Sequence, residues 1–400
     1  MADKRATRAV IKHIKENSGD NWKSVIKDMI NEGLGSPADD PKVINPWSLH
    51  FGELWEGVCN PDGLLDATES GIMEVAEATV STGFPQMLGR AVHKVWIPMY
   101  ENNLLGAEQL VMEVDSDRPQ EYIDGVRAAD EPEEVREGEP VPETQLREKY
   151  AIIKNRLFQR ELGFTRHTLM FDKSGGDLLR HATQYGEKMG IHRHRYIVEA
   201  TMDYAISATG ESANSTLNWG GSTRTMYGAT HTYDNAATND NAATESFGSA
   251  GMQQVMQQLA LMKDEAGSET PIMPKTLLVS TFLLNPAIEL VKAPGRFDSA
   301  NRTINVFGPG GIQTMNIGYT GLNIIQSPII DNSDATNGKF RWNLGDHAKQ
   351  MRWQWVKRPT VEQIPGDLRR NIILSYLGMY WGGCGATDYR YAVRVHATSY

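Results

Sequence analysis

The chain has little cysteine, no long hydrophobic run and no excess of positive charge. Its 400 residues contain only Cys59 and Cys384, without a CxxC pair, which argues against a disulfide scaffold or a cysteine zinc site. No stretch approaches the ~20 apolar residues of a membrane span, and the N-terminal residues lack the apolar core of a signal peptide. The formal net charge of −10 argues against a general nucleic-acid-binding protein. We therefore expect a protein of a reducing compartment.

The sequence also lacks a recognisable catalytic motif. It has no GxSxG elbow and no HExxH pair, and the glycines at 308–311 lack the spacing of a phosphate-binding loop. The best metal candidates are His181, His192 and His194, which keep a metal-dependent hydrolase as an alternative. We expect these histidines to lie on a solvated or interface face of a helix and not to bind a metal, because residues two apart on a helix point away from each other. The sequence therefore predicts a non-enzyme without a metal or cofactor.

One long helix dominates what the sequence does contain. Apolar residues recur at helical spacing from Asp177 to Tyr204, which predicts a helix of about 42 Å. Gly186 and Gly190 are expected to weaken it by roughly 1 kcal/mol each and to bend it. Shorter helices are predicted at residues 1–34, 71–90, 249–266 and 286–293.

Runs of β-branched and aromatic residues predict several strands. Trp353 and Trp355 alternate along one of them, as core or interface residues do; a strip for stacking nucleic-acid bases is the alternative. A turn is predicted at 384–387, between the last two strands. The other strands are predicted at residues 111–116, 150–165, 274–281, 311–330, 369–383 and 388–398. The mixture of strands and helices predicts an α+β protein.

Residues 121–149 form a tract that is too charged to fold alone. It carries ten acidic and four basic residues, a net charge of −6. Pro132, Pro140 and Pro142 exclude a helix interior and a central strand. A solvated linker is one interpretation. Strand-like sequence on both sides favours a two-stranded excursion, and because an isolated hairpin is marginally stable, we expect it to lie on a neighbouring subunit.

The order of these segments resembles that of a known family. The acidic tract contains Val135, the stretch 137–140 and the pair 142–143, and leads through a strand to the pair 165–166. The long helix, a strand–helix unit and a WxLGD stretch at 342–346 follow. In this order they resemble the major capsid proteins of tailed bacteriophages, which have the Hong Kong 97 type of fold.

The resemblance implies an α+β, Hong Kong 97-like capsid fold with five parts. These are an N-terminal arm (1–70), an extended loop (112–160), a peripheral domain (71–111, 161–206 and 360–400), a spine helix within it (177–204) and an axial domain (207–359). It further implies hexamers and pentamers of an icosahedral phage head that encloses double-stranded DNA without sequence-specific contact. Such a virion protein is assembled in the host cytoplasm, with scaffolding, portal and decoration proteins as further partners. An encapsulin-like nanocompartment shell is the close alternative.

The resemblance also implies charged contacts between subunits, in which the extended loop of one copy meets a basic strip on the spine helix of another. Exposed ion pairs contribute only ~0.2–1 kcal/mol each, so apolar contacts must carry most of the assembly. The candidate contact residues are Glu133, Glu134, Arg136, Glu137, Glu139, Arg147, Lys149, Arg180, Lys188, Arg193 and Arg195.

Overall fold

The chain has an α+β fold, as the sequence predicts, and divides into two compact units. The predicted N-terminal arm and the helices predicted at 1–34 and 71–90 lie outside the described residues. Within the described ranges, none of the helices combines the length and hydropathy of a membrane span. The computed structural model describes residues 92, 95–126, 134, 148–165, 177–207, 209–210, 216–219, 222–228, 231–232, 238–264, 268–270, 272–292, 295–297, 302–304, 321–365, 367 and 372–399.

Unit one draws on residues up to 103, 157–191 and 357–381. Residues 95–102 are helical and are called α1. Four further elements have residues in both units. They are β4 (Arg156–Thr165), α2 (Asp177–Thr201), β15 (Met351–Pro365) and β16 (Ile372–Ala386). Together with β1 (Met112–Asp115), the three strands form a sheet of order β1-β15-β16-β4.

Helix α2 confirms the predicted long helix and ends at Thr201, three residues before the predicted end. Within unit one, Tyr185 ties it to two strands. The Tyr185 hydroxyl lies 2.5 Å from the carbonyl oxygen of Arg160 in β4 and 2.8 Å from that of Gly378 in β16. Burial raises the pKa of Tyr185 to about 12, which keeps the hydroxyl protonated as a donor.

The two glycines of α2 mark a close crossing with α1. A Cβ atom at Gly186 would lie 2.6 Å from the carbonyl oxygen of Trp96, and one at Gly190 would lie 2.4 Å from that of Tyr100. Both pairs are four residues apart, so the contact repeats over one helical turn. The close packing of α2 on α1 therefore offsets the helix propensity lost at these glycines, because a larger residue at either position would overlap the backbone of α1.

Replacing Gly190 by alanine is expected to lower the stability of unit one. The new methyl group would overlap the carbonyl oxygen of Tyr100, and overpacking of this kind costs about 1–3 kcal/mol. That exceeds the gain of up to ~1 kcal/mol in helix propensity. Thermal denaturation measures the difference, with Gln184→Ala on an exposed face of α2 as the control. A higher melting temperature for Gly190→Ala than for the wild type would contradict the close crossing.

Unit two is built around a five-stranded sheet of order β13-β10-β14-β17-β9. The central strand β14 pairs antiparallel with both neighbours, while the outer pairs β10–β13 and β17–β9 are parallel. The strands are β9 (Ala242–Ala243), β10 (Thr276–Val279), β13 (Asn323–Gln326), β14 (Arg341–Gly345) and β17 (Ala392–His396).

Two amphipathic helices bury their apolar faces in the same core as this sheet. Met252, Val255 and Leu259 of α3 (Ser249–Ala260) and Leu290 of α4 (Leu284–Lys292) are buried members of it. The predicted helices at 249–266 and 286–293 are thus confirmed with shifted ends.

The short elements of unit two are 3-10 turns at Ala107–Leu110 and Gly338–Phe340, helices α5 (Pro328–Asn332) and α6 (His347–Gln350), and strands β7 (His231–Thr232), β8 (Thr238–Asn239), β11 (Gly295–Phe297) and β12 (Arg302–Ile304).

A second sheet of unit two has the order β2-β3-β5-β6. The strand predicted at 150–165 is divided between two sheets at Asn155, which separates β3 from β4. The Asn155 amide group donates to the carbonyl oxygen of Arg118 at 2.7 Å, and its backbone N–H donates to that of Pro119 at 2.8 Å. The strands are β2 (Gln120–Val126), β3 (Glu148–Lys154), β5 (Thr216–Trp219) and β6 (Ser222–Thr225).

Two sequence predictions near strand ends are wrong. Residues 328–330, predicted as strand, belong to α5, because the Ser327 hydroxyl accepts from the N–H of Ile329 at 3.4 Å and Pro328 suits the first helical turn. The turn predicted at 384–387 is not formed at Cys384, because β16 continues through Ala386. A Cβ atom at Gly383 would lie 2.3 Å from the carbonyl oxygen of Lys154, so this glycine permits a close approach between β16 and the end of β3.

Candidate interaction surface on the arm

Strands β2 and β3 form a two-stranded excursion, here called the arm. Only its second strand is one that the sequence predicts, because the strand predicted at 111–116 is β1, which pairs with β15, and β2 lies almost entirely within the charged tract. They pair antiparallel over seven residues, with Tyr122 opposite Ile152 and Ile123 opposite Ala151. Since side chains alternate between the faces of a sheet, Tyr122, Tyr150 and Ile152 share one face. Apart from the exposed Glu134, the tract between the strands lies outside the described residues.

The inward face of the arm packs against β16 in unit two. Ala151 and Ile153 are buried, and a Cβ atom at Gly385 would lie 2.7 Å from Cγ1 of Ile153. Because a glycine is required opposite Ile153, the arm is held closely on the body of its own chain at this point. This contact fixes which face of the arm points away from the body.

The outward face carries an exposed apolar strip. Tyr122 is 57% exposed, Tyr150 39% and Ile152 37%, and the two tyrosine rings lie 6.0 Å apart at a tilt of 54°. The side-chain amide of Gln120 donates to the Tyr122 hydroxyl at 3.1 Å, which orients that ring. We call Tyr122, Tyr150 and Ile152 the arm strip. Exposed apolar residues that lie together in this way are typical of protein interaction sites.

The predicted charged contacts are only partly described. Glu134 is exposed, as are Arg180, Lys188 and Arg195 of α2, and Lys149 lies in β3. The remaining loop residues lie outside the described residues, and they are Glu133, Arg136, Glu137, Glu139 and Arg147. The pairing of these charges between subunits stays a prediction.

Arg193 differs from the rest of the predicted strip because it is buried. Its guanidinium forms an ion pair with Glu113 of β1 and lies 4.8 Å and 4.5 Å from the ring centroids of Trp353 and Trp355. The other carboxylate oxygen of Glu113 accepts from the Trp355 ring N–H at 2.9 Å. Arg193 is therefore engaged within its own chain, which corrects its assignment to a strip that faces another subunit.

The same contacts decide the role of the two tryptophans. Trp353 and Trp355 are both buried, and their rings meet edge to face at 5.3 Å. Tyr196 of α2 packs edge to face on Trp353 at 5.6 Å. The interpretation of the tryptophans as core residues is confirmed, and a base-stacking strip is wrong because the rings are covered by their own chain.

The candidate metal histidines are not brought together as ligands. Both ring nitrogens of His194 are engaged: Nδ1 lies 2.9 Å from the carbonyl oxygen of Leu104 and Nε2 lies 2.9 Å from the Ser327 hydroxyl. Burial lowers the pKa of His192, with the charge of Arg195 as the second cause. Burial also lowers the pKa of His194, against the opposing effect of its hydrogen bond to Leu104. Across the described part of the chain, no group of three or more histidine, cysteine or acidic residues could hold a metal ion.

His347 is expected to make unit two sensitive to acid. Burial lowers its pKa to about 4; Nδ1 contacts the Thr276 hydroxyl, and Nε2 finds no hydrogen-bond partner in the described part of the chain. The unfolded chain therefore binds the proton more readily, and stability is lost as pH falls from about 6.5 towards 4. Between pH 7 and pH 5 we expect a loss of about 2 kcal/mol.

Thermal denaturation at a series of pH values measures this loss. His347→Asn should flatten the pH dependence in that range, whatever its effect at neutral pH. Burial also lowers the pKa of His396 to about 4. His396 should therefore leave some pH dependence in the variant, but less than His347 supplies, because its side chain is partly exposed. A variant with the same slope as the wild type would show that His347 is not the titrating group.

Comparison with known proteins gives similarity in structure alone. No family model and no curated protein matches the sequence. The chain is similar to a structure from Mycobacterium phage Patience, with 12% sequence identity and a TM-score of 0.47. The similarity covers 84% of this chain and 91% of the other. It is also similar to the capsid of a native GTA particle, with 11% sequence identity, coverage of 74% of this chain and 91% of the other, and a TM-score of 0.46. For a virus-like particle from Pyrococcus furiosus the identity is 9%, the coverage is 76% of this chain and 97% of the other, and the TM-score is 0.41. Phage and capsid structures dominate these similarities, which concern the backbone and assign no activity or partner.

Proposed function

We propose that the chain is the major capsid protein of a tailed bacteriophage. In this proposal, copies assemble into the hexamers and pentamers of an icosahedral head that encloses double-stranded DNA. The arm strip is the observation that carries the proposal. A strand pair that buries one face on its own body and exposes two tyrosines and an isoleucine on the other needs a partner surface, and for a shell protein that partner is another copy.

The charge of the chain supports apolar rather than ionic assembly. With a net charge of −10, copies repel one another at long range, and exposed ion pairs contribute ~0.2–1 kcal/mol each. Full burial of a large apolar side chain contributes about 1.5–3 kcal/mol. The arm strip can therefore outweigh the repulsion where the charged loop residues cannot. An acidic shell also suits DNA that is enclosed without being bound at specific sequences.

Assembly of the purified protein tests the proposal. Negative-stain images and sedimentation velocity should show closed shells or hexameric rings. A discrete monomer or dimer at high concentration, with no larger species, would contradict it. In particles from the native source, nuclease-resistant DNA is expected inside; an enzyme cargo in its place would favour the encapsulin-like alternative. Scaffolding, portal and decoration proteins remain expected partners in a complete head.

A further inference from the structure

A second exposed apolar surface lies at the end of strand β10, far along the chain from the arm. Phe282 is 52% exposed and meets Phe340 edge to face, with ring centroids 5.6 Å apart. The exposed Lys339 places its ammonium nitrogen 4.9 Å from the Phe340 ring centroid and 5.9 Å from that of Phe282. We call these three residues the aromatic–lysine patch.

The backbone beneath this patch is fixed by hydrogen bonds. The Ser280 hydroxyl donates to the carbonyl oxygen of Lys339 at 2.5 Å, and the N–H of Thr281 donates to Asp331 at 2.8 Å. The first bond joins the end of β10 to the 3-10 turn before β14, and the second joins it to α5. The patch is therefore a preorganised surface, which lowers the entropy lost when a partner binds.

Helix α4 presents a second surface of complementary chemistry. Its buried face includes Ala287, Leu290 and Val291, which leaves Ile288 and Glu289 side by side on the outer face. Ile288 is 40% exposed. This Ile288–Glu289 patch pairs an apolar side chain with a negative charge, whereas the aromatic–lysine patch pairs apolar side chains with a positive charge.

We propose that the aromatic–lysine patch of one copy binds the Ile288–Glu289 patch of the next copy. Phe282 packs on Ile288 of the second copy, and the ammonium of Lys339 approaches the carboxylate of Glu289. Because the two patches differ, the contact is head-to-tail, which is the kind of contact that closes a ring. This inference rests on the proposed function and assigns to unit two a contact that is separate from the arm.

Loss of the apolar contact gives the first test. Phe282→Ser should raise the subunit concentration needed for assembly by about tenfold, because one buried phenylalanine contact is lost at each interface. Leu261→Ser, at the end of α3, removes an equally exposed apolar residue and should leave that concentration unchanged. Unchanged assembly of Phe282→Ser in a wild-type-like fold would overturn the proposal.

Charge exchange gives the second test and separates contact between copies from contact within one. Lys339→Glu and Glu289→Lys should each assemble poorly alone, because like charges then meet at every contact. An equimolar mixture of the two variants should recover hexameric rings, since each altered patch can meet its complement on the other variant. Failure of the mixture, or normal assembly of either variant alone, would overturn the proposal. Failure of the proposed function is a distinguishable outcome, because in that case the wild type itself does not assemble or its particles hold an enzyme in place of DNA.

Discussion

A subunit in which Tyr122, Tyr150 and Ile152 are all replaced by serine is expected to fold but to form no particles. The three side chains lie on the outward face of the arm and keep 37–57% of their surface exposed, so their removal should cost less subunit stability than the replacement of core residues. Full burial of an exposed apolar side chain contributes about 1.5–3 kcal/mol, so each of these partly exposed side chains should contribute roughly half of that against a partner. Because every copy in a shell repeats the contact, the combined loss should abolish assembly.

Sedimentation velocity and circular dichroism together measure this outcome. The circular dichroism spectrum and melting temperature of the triple variant should match those of the unassembled wild type. Met273→Ser is the matched control, because Met273 is also about half exposed but lies away from the arm strip in the sequence. Normal particles from the triple variant would show that the strip is ordinary surface and that the acidic tract is a linker.

Replacing Glu113 by alanine is expected to destabilise unit two by about 3 kcal/mol. The change leaves the Arg193 guanidinium buried without its carboxylate, and an unpaired buried charge is strongly destabilising. The two tryptophan rings remain over the cation and recover part of the loss. The Trp355 ring N–H also loses its acceptor.

Urea denaturation of the unassembled subunit measures the effect, since assembly would mask it. The double variant Glu113→Gln with Arg193→Met should be more stable than Glu113→Ala, because it removes the charge together with its partner. Equal stability of Glu113→Ala and the wild type would mean that solvent, rather than Glu113, neutralises Arg193.

Long elements with a regular period were predictable from the sequence. The helix from Asp177 follows from its apolar spacing over seven turns, and the buried strand at 276–279 follows from its apolar run between breakers. A two-stranded excursion followed from a contrast in composition, but its first strand is β2, within the charged tract, and not the predicted strand at 111–116. These signals are local, and local periodicity specifies an element whatever packs on it.

Glycines and arginines were harder to interpret because their roles depend on residues far away in the sequence. Gly186 and Gly190 looked like weak points of a helix, but they face Trp96 and Tyr100 across a close crossing. Arg193 looked like a surface cation, and only its pairing with Glu113, 80 residues away, shows that it is buried. No local pattern in the sequence identifies Trp96, Tyr100 or Glu113 as the residue that these side chains contact.

The alternation that produces the arm strip is visible in the sequence. Tyr150 and Ile152 alternate with the buried Ala151 and Ile153, which is the period-two pattern of a strand with one covered face. What the sequence could not give is which face is covered. That depends on Gly385 of β16, more than 200 residues later in the chain.

A cryo-EM map of the assembled protein at side-chain resolution shows what covers the arm strip. We expect Tyr122, Tyr150 and Ile152, which are exposed in the single chain, to be buried against a neighbouring copy in every capsomer. A shell in which these three side chains face solvent, with the copies joined elsewhere, would contradict this expectation.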